Sequence, residues 1–305
     1  MPLRPADAPA VKSRLDALMQ TYGSVYLDSD PLGLVHRYPR GDDREATAFI
    51  AQSLAFGNAK AVRTSLGRVY ERLGEQPAEA LRGFQIKKNR NLFKGIVHRW
   101  VGADDLSRFA HMTGAALREW GSLEAIFMLE YDPGAATLAG ALAAFRGRLL
   151  ALAPRGASRK GFSYLLPDPT RGGASKRMHL FLKWMIRRED GVDLGLWRGP
   201  RPGQLTIPLD THIARIGRLL GLTDRKTPDI KMAEEITNSL RLLCPDDPTR
   251  YDFAISRLGI LGHCPSRPDE NICVECPLQD ICRHWRGESR RKTHQRQKRP
   301  AAAID

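Results

Sequence analysis

The apolar positions of the chain recur at helical spacing along most of its length. Val11, Leu15, Leu18 and Tyr22 form one stripe, Val62, Leu66, Val69 and Leu73 a second, and Leu138, Leu142, Phe145 and Leu149 a third. Residues three, four and seven apart share one face of a helix, so each stripe predicts an amphipathic helix with a buried side. Similar stripes over residues 93–100, 106–116 and 123–129 predict three more. No stretch alternates apolar and polar residues with the period of two that a half-buried strand needs, and no β-branched runs flank an Asn-Gly turn. The pattern predicts an all-α fold of roughly a dozen short helices.

Turn residues interrupt this pattern at two places. In Leu165-Leu166-Pro167-Asp168-Pro169-Thr170-Arg171-Gly172-Gly173-Ala174-Ser175, two prolines stop the preceding helix and two glycines allow unusual backbone angles. Ser175 is placed to cap a following helix over residues 176–188. Residues 195–203, with an Arg-Gly-Pro-Arg-Pro-Gly run, read as a linker into Ile207-Pro208-Leu209-Asp210. No internal repeat is present. Residues from about 287 onward are polar and basic, the composition of a disordered tail.

Charge narrows the class of partner. The chain has 305 residues and a formal net charge of +14. Residues 283–299 hold eight Lys/Arg against one acid, Glu288. With that segment and Asp305 set apart, residues 1–282 still carry +8. A body that is basic without its tail is what a protein resting on a phosphate backbone needs. No apolar run approaches the roughly 20 residues that span a bilayer. The N-terminal Met1-Pro2-Leu3-Arg4-Pro5 lacks the apolar centre of a secretory signal. A cytoplasmic, nucleoid-associated monomer with no membrane contact is expected.

Five cysteines occur, an odd number that argues against a disulfide framework. Cys244 stands apart and reads as a small buried thiol. The other four form Cys264-x8-Cys273-x2-Cys276-x5-Cys282. Four thiolates on a compact loop can surround one iron–sulfur cubane, and the last gap is long for a zinc knuckle. A 4Fe–4S cluster is therefore expected on Cys264, Cys273, Cys276 and Cys282, with zinc as the alternative.

These cysteines, with Asp210-Thr211-His212-Ile213-Ala214-Arg215-Ile216, resemble the iron–sulfur helix-hairpin-helix DNA glycosylases, of the endonuclease III and adenine-glycosylase type. In closer detail the whole chain resembles a bacterial family known only as a domain of unknown function. The longer first cysteine gap departs from the glycosylase pattern, and so does a hairpin with two prolines. The longer interval from Lys176 to Asp210 is similar instead to archaeal 8-oxoguanine glycosylases, which tilts the substrate toward an oxidised purine.

The resemblance implies a two-lobed fold. Residues 41–194 would form a central helical lobe with the hairpin. Residues 1–40 with 195–286 would form the second lobe, with the cluster, and 287–305 a basic tail. It also implies a DNA-repair N-glycosylase, and an AP lyase if a lysine attacks the sugar. Asp210 would be the catalytic acid, its charge stabilising the sugar cation as the base departs. Lys176 would be the nucleophile, with Lys183, seven residues on along the same helix face, its rival. Gly172, Gly173 and Ser175 would offer the DNA a phosphate site, and Arg267 a further contact. Phe56 or Asn58 would fill the gap left by a flipped base. The run Lys87-Lys88-Asn89-Arg90 with Lys94 reads as a solvated helix end, with a phosphate contact as the alternative. The competing expectation is a cluster-containing binder of DNA structures that has no chemistry.

Overall fold

The structure, a computed structural model, describes residues 3–154, 160–267 and 269–287. The expected basic tail therefore lies, but for Gly287, outside the described residues. Among the described residues the chain is helical with no strand; two isolated bridges join His98 to Val101 and Gly173 to Asp229. The first half holds α1 (Ala8–Thr21), α2 (Leu32–Val35), α3 (Gly41–Leu54), α4 (Ala59–Leu73), α5 (Pro77–Arg82), α6 (Ala103–Trp120), α7 (Leu123–Met128) and α8 (Ala139–Ala151). There follow α9 (Lys160–Leu165), α10 (Lys176–Ile186), α11 (Thr211–Leu219), α12 (Ile230–Arg241), α13 (Asp252–Ile260) and α14 (Glu270–Cys273). No helix of the described residues is long and apolar enough to cross a membrane.

Burial follows the stripes. In α4, Val62, Leu66, Val69 and Leu73 are all buried, and Asn58 caps the helix by accepting the Lys60 and Ala61 N–H groups. A 15-residue helix is marginal in water by itself. Burial of four large side chains, each contributing about 1.5–3 kcal/mol, is what holds it. Residues 93–100 do not form the helix that their stripe predicts. Gly95 has φ +82° and Arg99 φ +55°, and two left-handed residues within seven break any α-helical run into turns.

The buried side chains divide into two cores. The first runs from Leu32 to Leu205 and centres on Phe49, whose ring meets Phe109 and Phe181 at 5.1 Å and Phe145 at 6.1 Å. The second joins α1 to the chain beyond residue 206, through Leu15, Leu18, Ile213, Ile236, Leu240, Ile255 and Leu258. The expected linker is packed rather than free. Trp197 enters the first core, and its Nε1 donates to Glu45 at 2.7 Å. Glu45 in turn accepts the Leu123 and Glu124 N–H groups at the start of α7. Within the second core α11 and α13 touch closely. A Cβ on Gly259 would lie 2.5 Å from the His212 ring, so only glycine allows this approach.

Candidate active site and cysteine cluster

The turn before α10 is built by its own sequence. Helix α9 ends at Leu165, two residues before Pro167. The Asp168 carboxylate then accepts both the Thr170 N–H, at 3.0 Å, and the Thr170 hydroxyl, at 2.7 Å. Gly172 takes φ +75°, and its carbonyl accepts the Ile230 N–H at the start of α12. The hairpin is thereby tied to the second core. Ser175 is in the left-handed region, φ +42°, and does not cap α10 with its side chain. Its hydroxyl turns back to the Asp168 carbonyl instead, at 3.4 Å. The helix also stops at Ile186, because Arg187 is extended.

Lys176 is the first residue of α10, and its Nζ lies 3.3 Å from Asp210 Oδ2. Asp210 is the N-cap of α11. Its Oδ1 accepts the His212 N–H at 2.9 Å and the Ile213 N–H at 2.8 Å. One carboxylate oxygen is thus fixed by backbone, and the other is left to the lysine. The Asp210 side chain is 15% exposed and that of Lys176 35%, so the pair is reachable from solvent. A separate recess of about 910 Å³, lined by Arg187, Arg201, Arg250 and Asp247 among others, shares neither residue.

Lys183 is placed differently. It is 1% exposed, with Nζ 3.0 Å from Asp193 Oδ1 and 3.4 Å from Asp252 Oδ2. Burial works against its charge, but the two carboxylates outweigh burial and raise its pKa above the ordinary lysine value. A lysine sealed from solvent and held charged is a poor nucleophile, so this geometry gives Lys183 a structural role. Arg187 extends the network to Asp193, Asp190 and Asp247. Asp252, at the start of α13, was not singled out in the sequence; Tyr251-Asp252-Phe253 matches no chemical motif. Burial pushes its carboxyl up to about 6, Lys183 opposing and the negative charges of Asp210 and Asp193 adding to the rise. Asp252 thus senses both the buried network and the Lys176–Asp210 contact.

The remaining candidates are scattered. Gly172 and Gly173 are exposed on the hairpin, and Arg267 is exposed on the loop after Cys264. Asn58 is exposed, but its carbonyl oxygen is committed to the α4 cap. Phe56 is half-buried against the first core and against His98, at 4.6 Å between ring centres. Lys87, Lys88, Arg90 and Lys94 are exposed on a run of turns, not at a helix end.

The four clustered cysteines are each half-buried, and Cys264 and Cys276 pack against the second core. Cys276 lies within electrostatic reach of Cys264, Cys273 and Cys282. Among the described residues, however, no three His, Cys, Asp or Glu side chains are grouped closely enough to hold one metal ion. Burial raises the Cys264 thiol, and Arg215 opposes that rise. Arg215 Nη1 donates to Cys264 Sγ at 3.0 Å and to the Pro265 carbonyl at 2.9 Å. Because Arg215 belongs to α11, the cysteine loop and the helix that starts at Asp210 are pinned together. Cys244, half-buried, packs on the second core apart from the other four.

Comparison with known proteins corrects the resemblance read from the sequence. No helix-hairpin-helix glycosylase family matches the chain. The doubly proline-bearing hairpin and the long first cysteine gap are the places where the glycosylase pattern fails. No curated protein and no solved structure matches it either. One family description does match, "Protein of unknown function (DUF2400)", over residues 30–261. That span takes in the whole first core, the hairpin, Lys176, Asp210 and Asp252, and stops just before Cys264. The chain belongs to the DUF2400 family.

Proposed function

We propose that the chain excises a damaged base from duplex DNA, as an N-glycosylase whose Lys176 also gives it lyase chemistry. The contact of Lys176 Nζ with Asp210 Oδ2, 3.3 Å across the line between the two cores, carries this reading. A glycosidic carbon gains positive charge as its base leaves, and a fixed carboxylate stabilises that charge. Asp210 is suited to this because two backbone N–H groups hold one of its oxygens. Asp210 stays a carboxylate beside the developing cation. The base departs with the bonding electrons and takes a proton from water, and the free-amine form of Lys176 bonds through its lone pair to C1′. The C1′–O4′ bond then breaks, O4′ taking a proton from the attached nitrogen, and leaves an iminium between C1′ and Lys176, which borohydride would reduce.

The basic body, +8 without its tail, supplies the attraction to phosphate. The four cysteines suit a 4Fe–4S cluster in donor chemistry and in half-burial. Such a cluster would be a structural anchor here. Cys264 would transmit it to α11, and so to Asp210, through Arg215.

The same ion pair favours a second reading, a DNA-structure binder in which Lys176 and Asp210 only lock the lobes together. Purified protein tested against duplexes with different damaged bases, with borohydride present, separates the two. Asp210→Asn keeps the helix cap and DNA binding and should slow excision by about two to four orders of magnitude. Lys176→Gln should abolish the borohydride-trapped adduct. Excision at the wild-type rate by Asp210→Asn would remove the proposed active site.

A further inference from the structure

Two aromatic rings stand exposed among the described residues, Trp100 at 45% and Tyr164 at 40%, and they touch each other. Their ring centres are 4.8 Å apart, nearly perpendicular. Phe56 completes a triangle, 4.8 Å from Tyr164 and 5.4 Å from Trp100. Two guanidinium groups lie on these rings. Arg99 sits over Trp100 at 5.2 Å, and Arg177 over Tyr164 at 4.5 Å and over Phe56 at 5.1 Å.

We propose that Phe56, Trp100 and Tyr164, with Arg99 and Arg177, form a platform on which one unpaired nucleobase of the DNA stacks beside Lys176. The inference rests on the reading that the chain acts on DNA, and it assigns where an unpaired base is held.

Three features carry it. The first is position. Arg177 follows Lys176 directly, and its buried guanidinium donates to the Ser53 and Tyr164 carbonyls. The platform is therefore fastened to the first turn of the helix that carries the candidate nucleophile. The second is charge. Residues 84–101, which end in Trp100 and Val101, hold five Lys/Arg and no acid. Exposed rings rimmed by cations match a base attached to phosphates, whereas an exposed apolar contact with another protein would not need that rim. The third is rigidity. Arg99 adopts φ +55°, an uncommon angle for any residue but glycine, so the chain bends sharply where Arg99 meets Trp100. Beneath, His98 is buried, with Nε2 3.0 Å from the Phe56 carbonyl and Nδ1 3.0 Å from the Ser65 hydroxyl. Platform and loop are thereby held together before any ligand arrives.

The test compares binding of the full chain to a duplex with one extrahelical adenine and to the same duplex fully paired, by fluorescence anisotropy at low salt. Wild type should prefer the bulged duplex. Trp100→Ala with Tyr164→Ala should weaken that binding by roughly 5- to 100-fold, the range expected for one lost stacking contact, and leave the paired duplex within about twofold. Trp100→Phe should keep the preference, because a ring remains. Equal preference in the double variant and wild type would overturn the platform. So would a change of oligomeric state with unchanged DNA binding, which would make the patch a protein interface. If the preference depends on Trp100 in a protein that excises nothing, the platform stands and the glycosylase reading falls. If the double variant excises and binds like wild type, the reverse holds.

Discussion

Lys183 on α10 and Asp252 at the start of α13 meet at 3.4 Å with side chains 1% and 6% exposed, so a buried ion pair joins the two cores. Removing one partner of such a pair leaves an uncompensated charge where water cannot reach it. Lys183→Met should cost about 3–5 kcal/mol of stability, read from urea unfolding. Combining it with Asp252→Asn should restore part of that loss. A loss below about 1 kcal/mol would show that the network is not the clasp described.

Asp252 also gives stability a specific pH dependence. Its carboxyl is raised from an ordinary 3.8 to about 6, so between those values the folded chain holds a proton that the unfolded chain has released. The stability contributed by this group is full below the lower value and is lost as pH rises through the upper one. Asp252→Asn removes the titration. The stability of this variant relative to wild type should therefore climb from pH 4 to 6, by up to about 1.4 kcal/mol per unit, and then level off. Parallel curves across that window would refute the assignment.

The cysteine loop predicts a coloured protein. Protein made with iron available should be yellow-brown and hold iron and sulfide at about four each per chain. Cys276→Ser should lose the colour and destabilise the second core, where Cys276 packs. Stoichiometric zinc without a visible absorption band would exclude the cluster.

Binding to duplex DNA should survive truncation after Trp285, since residues 1–282 retain +8. Log affinity should fall linearly with log salt, by about 0.9 for each phosphate contacted, and the truncated chain should show the shallower slope. An absence of binding at low salt would place all DNA affinity in the tail and undercut the proposed function.

Much of the helical architecture could be read from periodicity, because burial of a stripe underlies elements such as α4 and α8, and burial follows spacing. The failures have local causes. Residues 93–100 carry the right stripe, but two left-handed residues override it. Ser175 has a capping residue's identity, yet its hydroxyl finds the Asp168 carbonyl. Asp252 was illegible for a different reason. Its properties come from burial and from the charges of Lys183, Asp210 and Asp193, which meet it only when the cores close, and no spacing in the sequence encodes that approach. The platform shares this property, since Phe56, Trp100 and Tyr164 come from three distant segments.

The interleaved cores also set an order of events during synthesis. The segments of the first core leave the ribosome as one continuous stretch and can pack on their own schedule. Helix α1 emerges earlier than all of them, yet its partners Ile213, Ile236 and Ile255 are translated after the whole first core. It must therefore wait unpacked, with Leu15 and Leu18 unsatisfied, until the late helices arrive. Asp210 stands on the last-made side of that closure and Lys176 on the first-made side. A nascent chain that already carries Lys176 still lacks the carboxylate that pairs with it, so the contact forms only after the helices of the second core have been made.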